Sequence, residues 1–180
     1  MPADSDDRRA AAGLLFFLPH LLTGMRLLSA PLLWWLVTGF ALGAALVCLA
    51  LAMLSDAVDG ALVRRFGAPS RAGAYFDAAA DLAVIMAAFG AFAWIGIYPY
   101  WLVGLISLAF VVFLLTSRLT PSIYDPVGRY IGGVLYAAAF TTLVLPDILA
   151  QHTILWTATA ALTITIGARA VHTLVAVRHH

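Results

Sequence analysis

The chain has 180 residues, is 63% hydrophobic and only 11% charged, and carries a formal charge of +1 with a mean hydropathy of +0.98. A soluble domain is about 45–50% apolar, so the composition excludes an ordinary water-soluble globule, and a near-neutral chain without a basic run excludes a nucleic-acid partner. Lys and Glu are absent, so the ten basic residues are all Arg and the nine acids all Asp, and the single Cys48 excludes a disulfide within the chain.

The opening segment, MPADSDDRRAAAGLLFF, is acidic and then basic. It lacks the basic start and small-residue cleavage site of a secretory signal, so no cleavable signal is expected. Residues 4–18 read as an amphipathic helix lying on the membrane surface, basic at one end and too short to span. Six apolar stretches follow, each close to the roughly 20 residues that a spanning helix needs: Leu21–Thr38, Ala41–Val63, Ala74–Ile97, Trp101–Leu119, Tyr130–Leu145 and Thr153–Val177. The links GF and YPY are too short for a domain and imply antiparallel helix pairs. Trp94, Tyr98, Tyr100 and Trp101 cluster at one link, as interfacial aromatics do. The expected fold is all-α and polytopic. It is a single domain over residues 1–180, with a surface helix followed by a bundle of six transmembrane helices over 21–177.

Six spans place every arginine on one face of the membrane. Arg8 and Arg9 precede the first span, Arg64, Arg65 and Arg71 follow the second, Arg118 and Arg129 flank the fourth link, and Arg178 follows the sixth; Arg26 and Arg169 lie inside spans near the same side. The positive-inside rule then puts both termini in the cytoplasm, and the chain in the inner membrane of a prokaryote.

Four aspartates stand out against this apolar background. Asp56 and Asp59 are spaced i, i+3, and Asp77 and Asp81 are spaced i, i+4. Each spacing puts a pair on one helix face. On antiparallel helices the two pairs can converge at one depth near the cytoplasmic side. An intramembrane charge costs about 2.5–3.5 kcal/mol on insertion scales, so clustered carboxylates need a counter-charge. Oxygen-only ligands suit Mg²⁺ or Mn²⁺. Gly60, Gly73 and the surrounding alanines let helices approach closely and leave room for a ligand. Arg64, just beyond Asp59, is placed to meet a phosphate. Acid, metal and arginine together point to phosphoryl transfer.

Asp56, Asp59, Gly60, Val63, Arg64, Gly73, Asp77 and Asp81 resemble the signature of the CDP-alcohol phosphotransferase family, D-x2-D-G-x2-A-R-x8-G-x3-D-x3-D, with Val63 where the family usually has Ala. A pattern with this many fixed gaps is highly specific. PHLLTGMRLLSAP, Pro19 to Pro31, is similar to the family's opening PNxLTxxR, with His20 in place of Asn. The resemblance covers the whole chain. It implies transfer of a phosphate-bearing group from a CDP-linked donor, usually CDP-diacylglycerol in lipid-making bacterial members, to a small alcohol acceptor, with release of CMP. It assigns Asp56, Asp59 and Asp77 to two divalent ions, Mg²⁺ or Mn²⁺, and Asp81 to metal contact or general base. Asp56, Gly60, Arg64 and Gly73 would bind the nucleotide and its diphosphate. It also implies a homodimer, for which Gly90, Gly96 and Gly104 are candidate packing points.

Arg118 and Arg129 are candidates for an acceptor phosphate, because Arg suits phosphate geometry. The region SRL…YDPVGRYIGG loosely resembles members that use inositol phosphate or glycerol 3-phosphate, yet Leu82 stands where glycerophosphate users carry Lys. Asp125 reads as a loop acid, and His20, His152 and His172 as isolated side chains. Two other functions fit intramembrane carboxylates: a divalent-cation transporter or channel, and an intramembrane prenyltransferase. The acids cluster near one face with no polar path beyond, which disfavours a channel. A prenyltransferase has more spans and different Asp spacing.

Overall fold

A computed structural model of the chain describes residues 23–66, 71–119, 126–145 and 147–178, without the side chains of 59–66, 71–72, 74, 117–119, 126–129 and 172–178. The expected surface helix at 4–18, His20 and Asp125 lie outside the described residues. Among these there are six helices and no strand: α1 over 23–38, α2 over Leu42–Phe66, α3 over Arg71–Trp94, α4 over Tyr100–Leu119, α5 over Pro126–Val144 and α6 over Ile148–Arg178.

The turns follow from local chemistry. After α1, Ala41 N–H donates to Leu36 O and Phe40 N–H to Val37 O, the hydrogen-bond pair of a Schellman turn. Phe40 holds the left-handed position at φ 58°, where glycine is usual. The same pair recurs after α3, from Ile97 N–H to Phe92 O and Gly96 N–H to Ala93 O, here with Gly96 at φ 83°. Asp147 starts α6 by accepting from Leu149 N–H at 3.2 Å and Ala150 N–H at 3.4 Å, as an N-cap does.

α4 packs against α3 and α6, and α5 against α2, α3 and α6. α1 presses on α3 at Gly90, where a Cβ would come within 2.8 Å of Trp34 Cζ3. Gly90 therefore serves packing within the chain and Gly96 a turn, which corrects their reading as interface glycines. Gly104 faces open space on α4. Core residues such as Leu33, Leu49, Phe89, Leu102 and Leu162 are buried, while Leu28, Trp35, Ile148, Leu149 and Trp156 project outward. Apolar surface inside and out is the pattern of a bundle solvated by lipid.

The expectation of six spans needs qualification. Among the described residues, two segments are long and apolar enough to cross a membrane, Tyr75–Trp94 and Ile148–Val171; Leu42–Val58, Tyr100–Thr116 and Tyr130–Val144 are apolar but shorter.

Candidate active site

Asp56 lies on α2, and Asp77 and Asp81 lie one turn apart on α3. The fold brings these three together: an oxygen from each lies within 4.8 Å of the others. Their side chains are 43%, 40% and 25% exposed, respectively, so the cluster opens to the outside while resting on the bundle. Oxygens on opposite sides of one hard cation are about 4–5 Å apart, twice a bond of 2.0–2.6 Å. The spread and the all-oxygen donor set therefore fit Mg²⁺ or Mn²⁺. Asp59 follows Asp56 by three residues on the same helix, and Gly60 and Arg64 continue α2; their side-chain placement lies outside the described residues. Gly73 is in the first turn of α3, four residues before Asp77. Arg118 lies near the end of α4 and Arg129 near the start of α5, again with side chains outside the description. His152 is exposed on α6 and far along the chain from the acids.

The sequence reading left the counter-charge to metal ions. Among the described side chains, the structure supplies a positive charge from the chain itself. Arg26, on α1, is fully buried. Its Nη1 donates to Asp77 Oδ1 and Asp81 Oδ1, each at 2.8 Å, and lies 3.3 Å from Asp56 Oδ1. Its Nε points to Ser55 Oγ at 3.4 Å. From α5, Tyr136 Oη donates to Asp81 Oδ1 at 3.1 Å. The cluster thus ties four helices together. Arg26 was available to the sequence reading: it occupies the Arg position of PHLLTGMR, and a buried arginine incurs the same insertion cost as a buried aspartate. Tyr136 carried no comparable signal.

A cavity of about 180 Å³ adjoins Asp81 between α3, α4, α5 and α6. Its walls are mostly apolar, including Phe110, Phe113 and Ile131, and its polar groups besides Asp81 are Thr165 and Arg169. Arg169 Nη1 donates to Thr116 Oγ1 at 2.7 Å, and its guanidinium lies 4.7 Å from the centroid of the Phe113 ring, within cation–π range. A compartment with a carboxylate at one wall and a guanidinium at another suits a molecule bearing a hydroxyl and an anionic group. No local sequence pattern singles out Arg169, because the α4–α6 contact that frames it joins distant parts of the chain.

The sequence model of a family described as CDP-alcohol phosphatidyltransferase matches residues 16–166. A protein of Streptomyces coelicolor named cardiolipin synthase (CMP-forming) is 36% identical over 91 residues, which cover 47% of this chain and 42% of that protein. The chain thus matches less than half the length of that curated relative. No solved structure matches the chain significantly.

Proposed function

Because this chain belongs to the CDP-alcohol phosphatidyltransferase family, we propose that it transfers a phosphatidyl group from CDP-diacylglycerol to an alcohol and releases CMP. The observation that carries this is the convergence of Asp56, Asp77 and Asp81 beside a cavity large enough for a small acceptor group. Family membership sets aside the prenyltransferase. Against a transporter stands the far end of the bundle, where Phe89, Phe92 and Tyr98 are closely packed and buried.

Asp56, Asp59 and Asp77 would hold two divalent ions, Mg²⁺ or Mn²⁺, which when bound would neutralise the donor's diphosphate. Gly60 and Gly73 leave room for the cytidine, and Arg64 meets the diphosphate. Asp81 acts as general base. Its Oδ1 already receives Arg26 and Tyr136, so the acceptor's proton passes to its other oxygen. The acceptor oxygen forms a bond to the phosphatidyl phosphorus as the bond from that phosphorus to the CMP oxygen breaks. The acyl chains of the donor remain in lipid while its head group reaches the rim of the bundle.

For the acceptor, the mainly apolar cavity and the relative that forms cardiolipin favour the glycerol head group of an anionic lipid, phosphatidylglycerol, with its phosphate held by Arg169 and by Arg118 and Arg129. Glycerol 3-phosphate and inositol phosphate are the second choice, on the loose resemblance around Arg118 and Arg129. Detergent-purified protein given CDP-diacylglycerol and Mn²⁺ should release CMP with phosphatidylglycerol and form a lipid with four acyl chains by mass spectrometry. CMP release only with serine or free inositol would refute an anionic acceptor. CMP release with none of these alcohols would refute the transferase reading.

We place the chain in a prokaryotic inner membrane with six spans, both termini and the site cytoplasmic, as a homodimer. In a Cys48→Ala background, Tyr100→Cys should react with an impermeant thiol reagent from outside and Ser70→Cys should not; the reverse pattern would overturn the orientation. Crosslinking in native membranes should trap a dimer, and monomer alone would count against it.

A further inference from the structure

Arg26 is among the largest side chains fully buried in the protein, and it is charged. An unpaired buried charge is costly. Here one guanidinium nitrogen serves three carboxylates from two helices. Resting on the metal reading above, we propose that Arg26 is a positioning residue for the metal-binding carboxylates. It takes the same oxygen, Oδ1, of Asp56, Asp77 and Asp81. An ionised carboxylate has two acceptor oxygens, so each acid keeps one for another partner. Tying down Oδ1 fixes the rotation of each carboxylate and thereby where its second oxygen sits. Ser55 steadies the guanidinium from α2, and Tyr136 adds a second tie to Asp81 from α5. Groups that orient metal ligands in this way raise metal affinity.

Two effects oppose each other here. Coulomb's law alone says that removing a cation beside a metal site tightens metal binding. Positioning says the reverse, because three like charges within 4.8 Å of one another lose their shared anchor and Asp56 and Asp77, each about two-fifths exposed, swing to water. Positioning wins: the oxygens are gathered at the helix crossing by Arg26, and a metal cannot recruit all of them without first regathering them.

The test is a Mn²⁺ titration of the detergent-purified full chain, with neither donor nor acceptor, followed by the paramagnetic signal of free Mn²⁺. Arg26→Gln should weaken binding roughly 10–100-fold, the usual effect of losing a partner that orients a ligand. Arg26→Lys should recover part of that loss, because an ammonium keeps the charge and three donors but lacks the Nε contact to Ser55. Tyr136→Phe should weaken binding by less than Arg26→Gln. Equal or tighter Mn²⁺ binding in folded Arg26→Gln overturns the proposal. Should that variant not yield monodisperse protein, Arg26→Lys and Tyr136→Phe decide: both at wild-type affinity overturn it, and weakening in either supports it. Wild-type protein that binds no Mn²⁺ overturns the metal reading itself, a separate failure that is visible before any variant is made.

Discussion

The two ends of the bundle are built on opposite terms. Around the α3–α4 turn, Phe89, Phe92 and Tyr98 are almost wholly buried, with ring centroids 5.7–6.0 Å apart. Tyr98 Oη and Thr142 Oγ1 share a hydrogen bond of 2.7 Å between that turn and α5. Fifteen residues back along α3, about 22 Å at 1.5 Å per residue, Asp77 begins a cluster of half-exposed carboxylates around one buried arginine. In lipid there is no hydrophobic drive between helices, so the aromatic end is held by close packing and a hydrogen bond. The charged end is held by ion pairs that also leave oxygens available for chemistry. The closed end fixes the helices, and the open end spends that rigidity on placing acids.

This contrast can be broken at either end. The largest effect belongs to the charged end: Asp56→Asn, Asp59→Asn and Asp77→Asn should each reduce CMP release to background while the protein still inserts and purifies. Full activity in any one of them would remove it from the metal set. At the closed end the effects should reverse. Phe92→Ala leaves a cavity that in soluble cores costs about 3–5 kcal/mol, less the water-transfer share that lipid does not provide. A clear drop in melting temperature with unchanged turnover per folded molecule is expected, and lost turnover in still-folded protein would mean that the two ends are coupled. A smaller and more selective effect is expected between them. Arg169→Gln should remove a charge-assisted contact worth about 1.5–3 kcal/mol, a rise of roughly ten- to a hundred-fold in acceptor KM, with the donor KM unmoved. An equal rise in both would place Arg169 in the fold and not at the acceptor.

Much of the charged end could be read from the chain because its spacing is local. Asp77 and Asp81 share a helix face by i, i+4, and the short link between α2 and α3 returns Asp56 to the same depth. The helices were equally readable, since the expected Ala41–Val63 and Trp101–Leu119 become Leu42–Phe66 and Tyr100–Leu119. What escaped depends on contacts between distant elements. Tyr136 meets Asp81 across 55 positions, and Arg169 meets Thr116 across 53, and no periodicity encodes either. Arg26 escaped for another reason. A positive-inside count uses only the side on which an arginine falls, whereas its role comes from depth. Gly90 and Gly96 were visible as small residues, but only the packing of Trp34 and the sign of φ separate a contact glycine from a turn glycine.

On the proposed mechanism the carboxylate cluster works through divalent ions on a CDP-linked lipid. The most direct measurement is CMP release from CDP-diacylglycerol in the presence of phosphatidylglycerol, by one detergent preparation treated with EDTA and then resupplied with Mn²⁺ or Mg²⁺. Release should fall to background in EDTA and return with the added ion. Undiminished release in EDTA would mean that the carboxylates act without a divalent ion.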